Sequence, residues 1–288
     1  MKTALVTVVI PIYQEKPSEL EIISLDQTLA VLHEYPITFM TPTRLDVAWY
    51  EDYCRGKATV YFERFEWSGY VAFNDMMVAP AFYQRFLRYQ YMLICHLDAF
   101  VFRNELAKWC RLGYDYTGSV LYNGTDWDQP DTLLRRLTGF TTPEYYACGG
   151  FALKNVAAFY RITHRSRLYI RLYRAVQRLR HSTSLVFDDL FVTRHFPKLS
   201  AKFRMAPKAQ AERFGAACMK LDAAALPFDI RNDDDLPFGV HGWIQGQELW
   251  ADCIRRSGYP VPAAGRPAPE QRLENQAAAA AVGAGQEN

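Results

Sequence analysis

The sequence predicts an α/β fold, a single domain whose mostly parallel central sheet is flanked by helices. Short apolar or β-branched runs alternate with helical patterns along the N-terminal part of the chain, as in strand–helix–strand units. The run 91–95 is apolar and lies between polar neighbours, as expected for a strand that is buried on both faces. Half of the 288 residues are hydrophobic and 15% are aromatic, so the chain can build a sizeable core.

Local signals predict the first elements. Residues 4–10 form a β-branched run that ends at Pro11, which is typical of a first, central strand. Ser18 and Glu21 have the spacing of a capping box, and apolar residues at helical spacing continue to residue 33. Two more short apolar runs predict the next strands, 37–40 and 58–62.

Residues 70–88 show an aromatic-rich helical pattern that Pro80 interrupts. The large side chains of this stretch either line a ligand pocket or pack in the core, and the core is favoured. They are Phe73, Met76, Met77, Phe82, Phe86 and Leu87. The strand at 91–95 follows, and then a helix at 105–111.

His96 and Asp98 directly follow the buried strand at 91–95. Ligands of open α/β sheets bind at the carboxyl ends of the strands, so Asp98 is well placed for chemistry. Alternatively, Asp98 caps the turn before the helix at 105–111. Spacing alone leaves both interpretations open.

Residues 121–146 have no clean periodicity, and a loop of this length is usually functional or disordered. Trp127, Tyr145 and Tyr146 either stack on a sugar or a base or anchor the loop. A strand is predicted from residue 148, and its paired glycines, Gly149 and Gly150, either admit a ligand close to the backbone or permit a bulge.

Further candidate residues lie in the C-terminal half. Asp188 and Asp189 occupy the first turn of a predicted helix, where the helix dipole favours acids and where a general base could face a cleft. His241 stands in a glycine- and aromatic-rich stretch typical of a pocket wall. Residues 165–181 predict a basic amphipathic helix, which either lies on an anionic membrane surface or presents a solvated face, and the solvated face is favoured.

Composition excludes several classes of protein. A net charge of +2 argues against nucleic acid as a partner. The six cysteines include no CxxC pair, which indicates reduced, mostly buried thiols rather than a disulfide or zinc framework. No run approaches the roughly 18–20 apolar residues that span a bilayer, so a soluble, cytoplasmic protein is expected. The domain is predicted over 1–257, and a disordered Pro/Ala/Gly-rich tail over 258–288.

Five sequence blocks in a fixed order carry a resemblance to a known family. They are LDAFVF (97–102), YDYTG (114–118), GGFALKN (149–155), DDLF (188–191) and PFGVH (237–241). The chain resembles the bacterial proteins grouped as domain of unknown function 5672, which are similar to glycosyltransferases of the GT-A type. The resemblance extends over most of 4–250, and VVIPIYQE at 8–15 is similar to the first strand of many sugar transferases.

The resemblance implies a GT-A-like domain that moves a sugar from a nucleotide-sugar donor to a hydroxyl of an acceptor. That acceptor would be a glycan, a surface polysaccharide or a lipid-linked saccharide. Asp98 stands where such enzymes hold Mg²⁺ or Mn²⁺ on the donor pyrophosphate. His96 would contact the ribose or join the metal, and His241 matches a late histidine that completes the metal or pyrophosphate site.

The remaining matches concern the sugar and the acceptor. Gly149 and Gly150 match a loop that touches the donor sugar or the acceptor. Asp189, and after it Asp188, matches the acid that deprotonates the acceptor hydroxyl. Such a protein would be cytoplasmic, peripheral at the inner face of the membrane if 165–181 contacts lipid. The alternatives are a metal-independent transferase, a catalytically silent nucleotide-sugar or glycan-binding module of the same fold, and a membrane-surface scaffold.

Overall fold

The computed structural model describes residues 3–122, 144–179, 187–217 and 226–261. Within these ranges the strands are β1 (Ala4–Pro11), β2 (Ile37–Pro42), β3 (Val60–Phe65), β4 (Tyr89–Cys95), β5 (Ala99–Val101), β6 (Tyr116–Leu121), β7 (Ala147–Asn155), β8 (Gly215–Ala217) and β9 (Gly239–His241). The helices are α1 (Glu19–Leu32), α2 (Ala48–Cys54), α3 (Gly69–Met77), α4 (Pro80–Gln84), α5 (Leu106–Arg111), α6 (Val156–Arg165), α7 (Arg167–Leu179), α8 (Asp188–Leu199), α9 (Lys208–Phe214) and α10 (Gln247–Arg256).

The described strands form one sheet in the order β3-β2-β1-β4-β7-β6-β8-β9-β5. The first four of these strands run parallel to one another, as do β6, β8 and β9. Strand β7 runs antiparallel to both β4 and β6. The amino-terminal part of β7 therefore reaches the edge of the sheet at which β4 ends.

Successive side chains of a strand point to opposite faces of the sheet. In the central strands, the side chains on both faces are buried. Val9 and Met92 belong to one apolar cluster, whereas Val8 and Leu93 belong to another on the opposite face. A third cluster surrounds Phe100 and helix α10. The predicted α/β class and the double-sided burial of the strand at 91–95 are confirmed.

Ser18 and Glu21 form the predicted capping box at the start of α1. The stretch 70–88 forms two helices, α3 and α4, with Pro80 at the first position of α4. Of the six large side chains named above for this stretch, five are buried or half-buried as predicted, and Leu87 is exposed. The basic stretch 165–181 is divided at Ser166, where α6 ends and α7 begins.

Five cysteines in the described ranges are free and buried, as predicted; they are Cys54, Cys95, Cys110, Cys148 and Cys253. Trp127 and residues 262–288 of the tail predicted over 258–288 lie outside the described residues. Tyr259 packs edge-on against Phe100, and Val261 is buried in the same cluster. In the described part of the chain, no helix is long and apolar enough to cross a bilayer.

Candidate functional site

Three potential metal ligands meet where β4 ends. His96 follows β4, Asp98 precedes β5, and His241 is the last residue of β9. Strand β9 pairs with β5 so that His241 lies opposite Ala99, beside Asp98. One ligand atom from each of the three side chains lies within 4.8 Å of the other two. The sheet therefore brings together residues that are far apart in the sequence.

The half-buried Asp98 and the buried His241 form an ionised pair. Nε2 of His241 is 3.2 Å from Oδ1 of Asp98. Burial alone would lower the pKa of His241, but the negative charge of Asp98 raises it well above its usual value. Burial likewise opposes ionisation of Asp98, yet His241 holds the pKa of that carboxyl well below its usual range. The backbone holds the pair too, since the amides of Gly242 and Trp243 donate to the carbonyl of Asp98.

His96 completes the group as a neutral imidazole. Burial and the neighbouring His241 lower the pKa of His96 to about 4, so at neutral pH its ring is uncharged and has a lone pair for a ligand. Its ring stands edge-on to that of His241, with 5.4 Å between the ring centroids, and close to Phe73. The backbone amide of His96 donates to the carbonyl of Gly150 at 2.8 Å, which ties the residue to β7.

Cys148 contacts the other ring nitrogen of His241. Its Sγ is 3.2 Å from Nδ1, and both side chains are buried. Because Nδ1 is engaged with Cys148, Nε2 is the nitrogen that points toward Asp98 and His96. Partners of this kind orient a metal-binding histidine in many proteins.

The paired glycines make room for two of the candidate side chains, those of His241 and Asp189. The register of β6 against β7 shifts between Gly118 and Ser119, so residues 149–151 bulge from the ladder, one of the two predicted interpretations. A Cβ atom at Gly150 would lie 2.0 Å from Nε2 of His241. A Cβ atom at Gly149 would lie 3.1 Å from Cβ of Asp189. Both glycines are in β7 and buried.

Asp189 accepts hydrogen bonds on both of its oxygens. Gly149 donates its amide to Oδ2 at 2.8 Å, and Leu190 donates its amide to Oδ1 at 2.7 Å. The hydroxyl of Tyr146 also donates to Oδ1. Burial and the charge of Asp188 raise the pKa of Asp189 despite these donors. The carboxylate thus fastens the start of α8 to the bulge of β7.

Asp188 is paired with a fully buried lysine. Nζ of Lys154 lies 3.3 Å from Oδ2 of Asp188, and the Lys154 side chain is 0% exposed. The amide of Asp188 donates to Oδ1 of Asn74 at 2.8 Å, which fixes the first turn of α8. The charges of Asp188 and Lys154 both act on the pKa of His96, so this ion pair and His96 share one electrostatic environment.

The structure brings together all the predicted site residues around the bulge of β7. It also adds three that the sequence did not single out for these roles, namely Cys148, Lys154 and Tyr146. A lysine inside the apolar strand GGFALKN was the available signal for a buried ion pair. Tyr145 and Tyr146 are both buried, which favours the anchoring interpretation of these rings over stacking on a ligand.

The donor set fits a divalent cation. The three ligand atoms are separated by at most 4.8 Å, about twice the metal–ligand distances of 2.0–2.3 Å found for imidazole and carboxylate. Asp98 supplies the negative charge and His96 a neutral nitrogen. His241 would supply Nε2 once a cation displaced the proton that it shares with Asp98. The described residues therefore contain a possible His/Asp metal site at the carboxyl end of a central strand.

Comparisons with known proteins agree on the fold. The galactosyltransferase LgtC in complex with donor and acceptor sugar analogues is 13% identical, with a TM-score of 0.52, over 89% of this chain and 97% of that chain. An active-site mutant of LgtC gives a TM-score of 0.50 with the same identity and coverage. Mouse xyloside xylosyltransferase 1, in its apo form, is 11% identical, with a TM-score of 0.49, over 82% of this chain and 96% of that chain.

Identities this low show the fold alone, and the fold is that of the GT-A glycosyltransferases. No curated protein matches the sequence. A family model described as "Protein of unknown function (DUF5672)" matches residues 58–241, which is more than half of the chain and includes every predicted site residue. The chain therefore belongs to the DUF5672 family.

Proposed function

We propose that this protein is a glycosyltransferase that moves a sugar from a nucleotide-sugar donor to a hydroxyl of an acceptor. The observation that carries the proposal is the convergence of His96, Asp98 and His241 at the carboxyl end of β4 within a GT-A-like fold. Ligands bind at this edge in open α/β sheets. Asp188 acts on the pKa of His96, and Asp189 accepts from the amide of Gly149, the neighbour of the Gly150 that faces His241. These contacts support a base on α8 close to the three ligands.

His96, Asp98 and His241 would hold Mg²⁺ or Mn²⁺. Such an ion neutralises the charge that develops on a departing nucleoside diphosphate. Asp98 contributes an ionised carboxylate, and His96 contributes an uncharged ring. Cys148 keeps Nε2 of His241 directed at the same point. Gly149 and Gly150, in the adjacent bulge, let Asp189 and His241 approach the backbone of β7, and their contact with the donor sugar is part of the proposal.

The base that accepts the proton of the acceptor hydroxyl would be one of the two acids on α8. Both oxygens of Asp189 already accept hydrogen bonds from protein donors. Asp188 has Lys154 at 3.3 Å from one oxygen. This geometry supports Asp188 ahead of Asp189, the reverse of the order expected from the sequence, with Asp189 as the residue that positions α8 against β7.

The acceptor in this proposal is a glycan, a surface polysaccharide or a lipid-linked saccharide. The protein would be cytoplasmic, and a lipid-linked acceptor would require it to work at the inner face of the membrane.

A thermal-shift screen tests the proposal. The panel contains UDP-, GDP-, CMP- and dTDP-sugars, each with Mn²⁺ or with EDTA. A ligand at about 100 times its dissociation constant stabilises the fold by roughly 2.7 kcal/mol, which is measurable. We expect stabilisation by one nucleotide class, only with metal, and no stabilisation in Asp98→Asn. Asp52→Asn, at an exposed surface pair with Arg55, is the matched control. Absence of any metal-dependent shift across the panel refutes the proposed donor site.

The saturated hydrogen bonding of Asp189 also favours a second candidate, a catalytically silent module that binds nucleotide-sugars without turnover. Release of nucleoside diphosphate from the bound donor distinguishes the two. A transferase should hydrolyse its donor slowly or transfer it, and Asp188→Asn should reduce that rate by about 10²–10⁴ while leaving the thermal shift intact. Donor binding without any release of nucleoside diphosphate would establish the silent module.

A further inference from the structure

Helix α7 presents its leucines to the outside of the molecule. Leu168, Leu172 and Leu179 are 72%, 67% and 80% exposed, and Val176 between them is partly exposed. Their spacing places all four on one side of the helix. The described residues include no other leucine this exposed. An amphipathic helix in a globular protein usually turns its apolar stripe inward, and α7 does the opposite.

The inward face of α7 explains this orientation. Arg174 is buried, lies 3.3 Å from a carboxylate oxygen of Asp75, and donates to the carbonyl of Asn74 at 3.0 Å. Tyr169 and Tyr173 pack against His195 of α8. A rotation that buried the leucines would expose Arg174 and break the contacts with α3 and α8. The outward position of the leucines is therefore fixed by the fold.

The surroundings of these leucines are basic. Helix α7 contains no acidic residue, and Arg167 and Arg171 are exposed on it. An open groove of about 330 Å³ lies where α6 ends and α7 begins. Its cationic lining residues are Arg161, Arg165 and Lys202, and Ser166 and Ser200 add hydroxyl groups.

The groove also contains one carboxylate, which is engaged elsewhere. Oδ2 of Asp115 accepts a hydrogen bond from the amide of Arg204 at 3.0 Å. Three cations and two hydroxyl groups in a groove suit a phosphate group, because charge-assisted hydrogen bonds to phosphate are among the strongest that side chains make.

We propose that the outward face of α7 docks on an anionic lipid bilayer, with its leucines at the headgroup–acyl boundary and a lipid phosphate in the adjoining Arg161/Arg165/Lys202 groove. Interfacial helices combine an apolar stripe with flanking basic side chains in this way. Charge complementarity selects this occupant. A second copy of the chain would oppose arginine to arginine. Within residues 262–288, Leu273 and Val282 are the only large apolar residues, too few to cover the leucine face.

Co-sedimentation of the full chain with vesicles tests the docking surface. The vesicles are pure phosphatidylcholine or a 3:1 mixture (about 25% anionic) with phosphatidylglycerol, in low and in high salt. We expect binding to the anionic vesicles at least tenfold tighter than to the neutral ones, and weaker in high salt. Binding that is equal on the two vesicle types, or absent from the anionic vesicles, overturns the proposal.

Two triple variants separate the contribution of the leucines to vesicle binding from that of the cationic groove. The triple variant Leu168→Gln, Leu172→Gln, Leu179→Gln and the triple variant Arg161→Gln, Arg165→Gln, Lys202→Gln should each lose at least tenfold in vesicle affinity. These side chains are exposed, so folding should be unaffected. Leu87→Gln and Leu112→Gln, at exposed leucines elsewhere, are controls that should bind like the original chain. Unchanged affinity in both triple variants rules out this face.

The docking surface does not depend on the proposed sugar transfer. Metal-dependent stabilisation by a soluble nucleotide-sugar should be the same in both triple variants as in the original chain. A second copy of the chain is the competing occupant of this face, and gel filtration without lipid tests for it. A dimer that the leucine substitutions dissociate would assign the face to the second copy and overturn the proposal.

Discussion

Residue 150 is a glycine, and the ring of His241 occupies the space that a side chain at this position would fill. A Cβ atom there would lie 2.0 Å from Nε2 of His241, far inside van der Waals contact. We therefore expect Gly150→Ala to displace the ring and to weaken Mn²⁺ binding at least tenfold, measured by calorimetric titration. It should also lower the free energy of unfolding, because overpacking typically costs about 1–3 kcal/mol.

A double-mutant cycle provides the control for this substitution. Gly150→Ala combined with His241→Ala should recover stability relative to Gly150→Ala alone, because the collision is removed, yet should not recover Mn²⁺ binding. If Gly150→Ala costs the same amount in the presence and absence of the histidine, the proposed contact is not the cause.

Cys148 should act through His241. A serine at this position keeps a hydrogen-bonding group near Nδ1, whereas an alanine does not. Loss of a partner that orients a metal ligand typically costs about 10–100-fold in metal affinity, so we expect Cys148→Ala to show that loss and Cys148→Ser to retain more of the affinity. Cys110→Ala, at a buried thiol in α5, controls for general effects of removing sulfur. Equal affinities in the alanine and serine variants would contradict a positioning role.

At the scale of the single element, the start of α1 offers a clean test. The Ser18 hydroxyl accepts from the amide of Glu21, and the carboxylate of Glu21 accepts from the amide of Ser18 at 2.8 Å. Replacing such a cap by alanine costs about 0.5–2 kcal/mol. We expect Ser18→Ala to lower the urea midpoint by a corresponding amount without changing Mn²⁺ affinity. A change in metal affinity would show that α1 and the site are coupled.

The packing of α7 on α8 predicts acid sensitivity. Burial, with the nearby charges of Lys198 and Arg194, lowers the pKa of His195 to about 3, against about 6.5 in an unfolded chain. Above pH 6.5 the His195 ring is neutral in both the folded and the unfolded state. As the pH falls from 6.5 toward 3, only the unfolded state takes up the proton, so the folded state loses stability by at most about 1.4 kcal/mol per pH unit.

Urea unfolding at several pH values measures this contribution. His195→Phe should flatten the dependence of the free energy of unfolding on pH between 6.5 and about 4.5. His33→Gln, at an exposed histidine at the end of α1, is the matched control and should leave the slope as it is. An unchanged slope in His195→Phe would mean that other groups dominate the acid response.

At the scale of the whole molecule, the three proposed metal ligands join distant parts of one sheet. His96 follows the central strand β4, which pairs with β1, whereas His241 ends β9, which lies next to the edge strand β5. If these strands open together, Mn²⁺ should slow amide hydrogen exchange in β1 and β2 as well as at the site. Exchange measured by mass spectrometry should show this in the original chain and not in Asp98→Asn. Protection confined to β5 and β9 would mean that the sheet opens in separate parts.

Much of the architecture follows from local sequence signals. Apolar runs such as 91–95, the Ser18/Glu21 capping box and the acids at strand and helix ends predict the strands, the first helix and the place of the site. These signals are local, so they suffice wherever local preference and tertiary structure agree.

The features that were not predicted depend on long-range packing. The antiparallel insertion of β7 and its bulge depend on partners far along the chain. Arg174 of α7 faces the core because it pairs with Asp75 and donates to the carbonyl of Asn74, about a hundred residues earlier in the chain. Leu172 consequently faces the outside of the molecule. The periodicity of the sequence does not show which face of an amphipathic helix will contact such a distant carboxylate. Cys148, likewise, became a candidate only when the fold placed it against His241.

The close approach of Gly150 to His241 also constrains how this family can diverge. Positions 150 and 241 cannot vary independently, because a side chain at the first excludes an imidazole in the observed place at the second. A family member that acquires a side chain at 150 must give up the histidine or move the strand that carries it. We therefore expect the identity of residue 150, read from sequence alone, to sort relatives of this chain into those that can place a histidine as His241 is placed here and those that cannot.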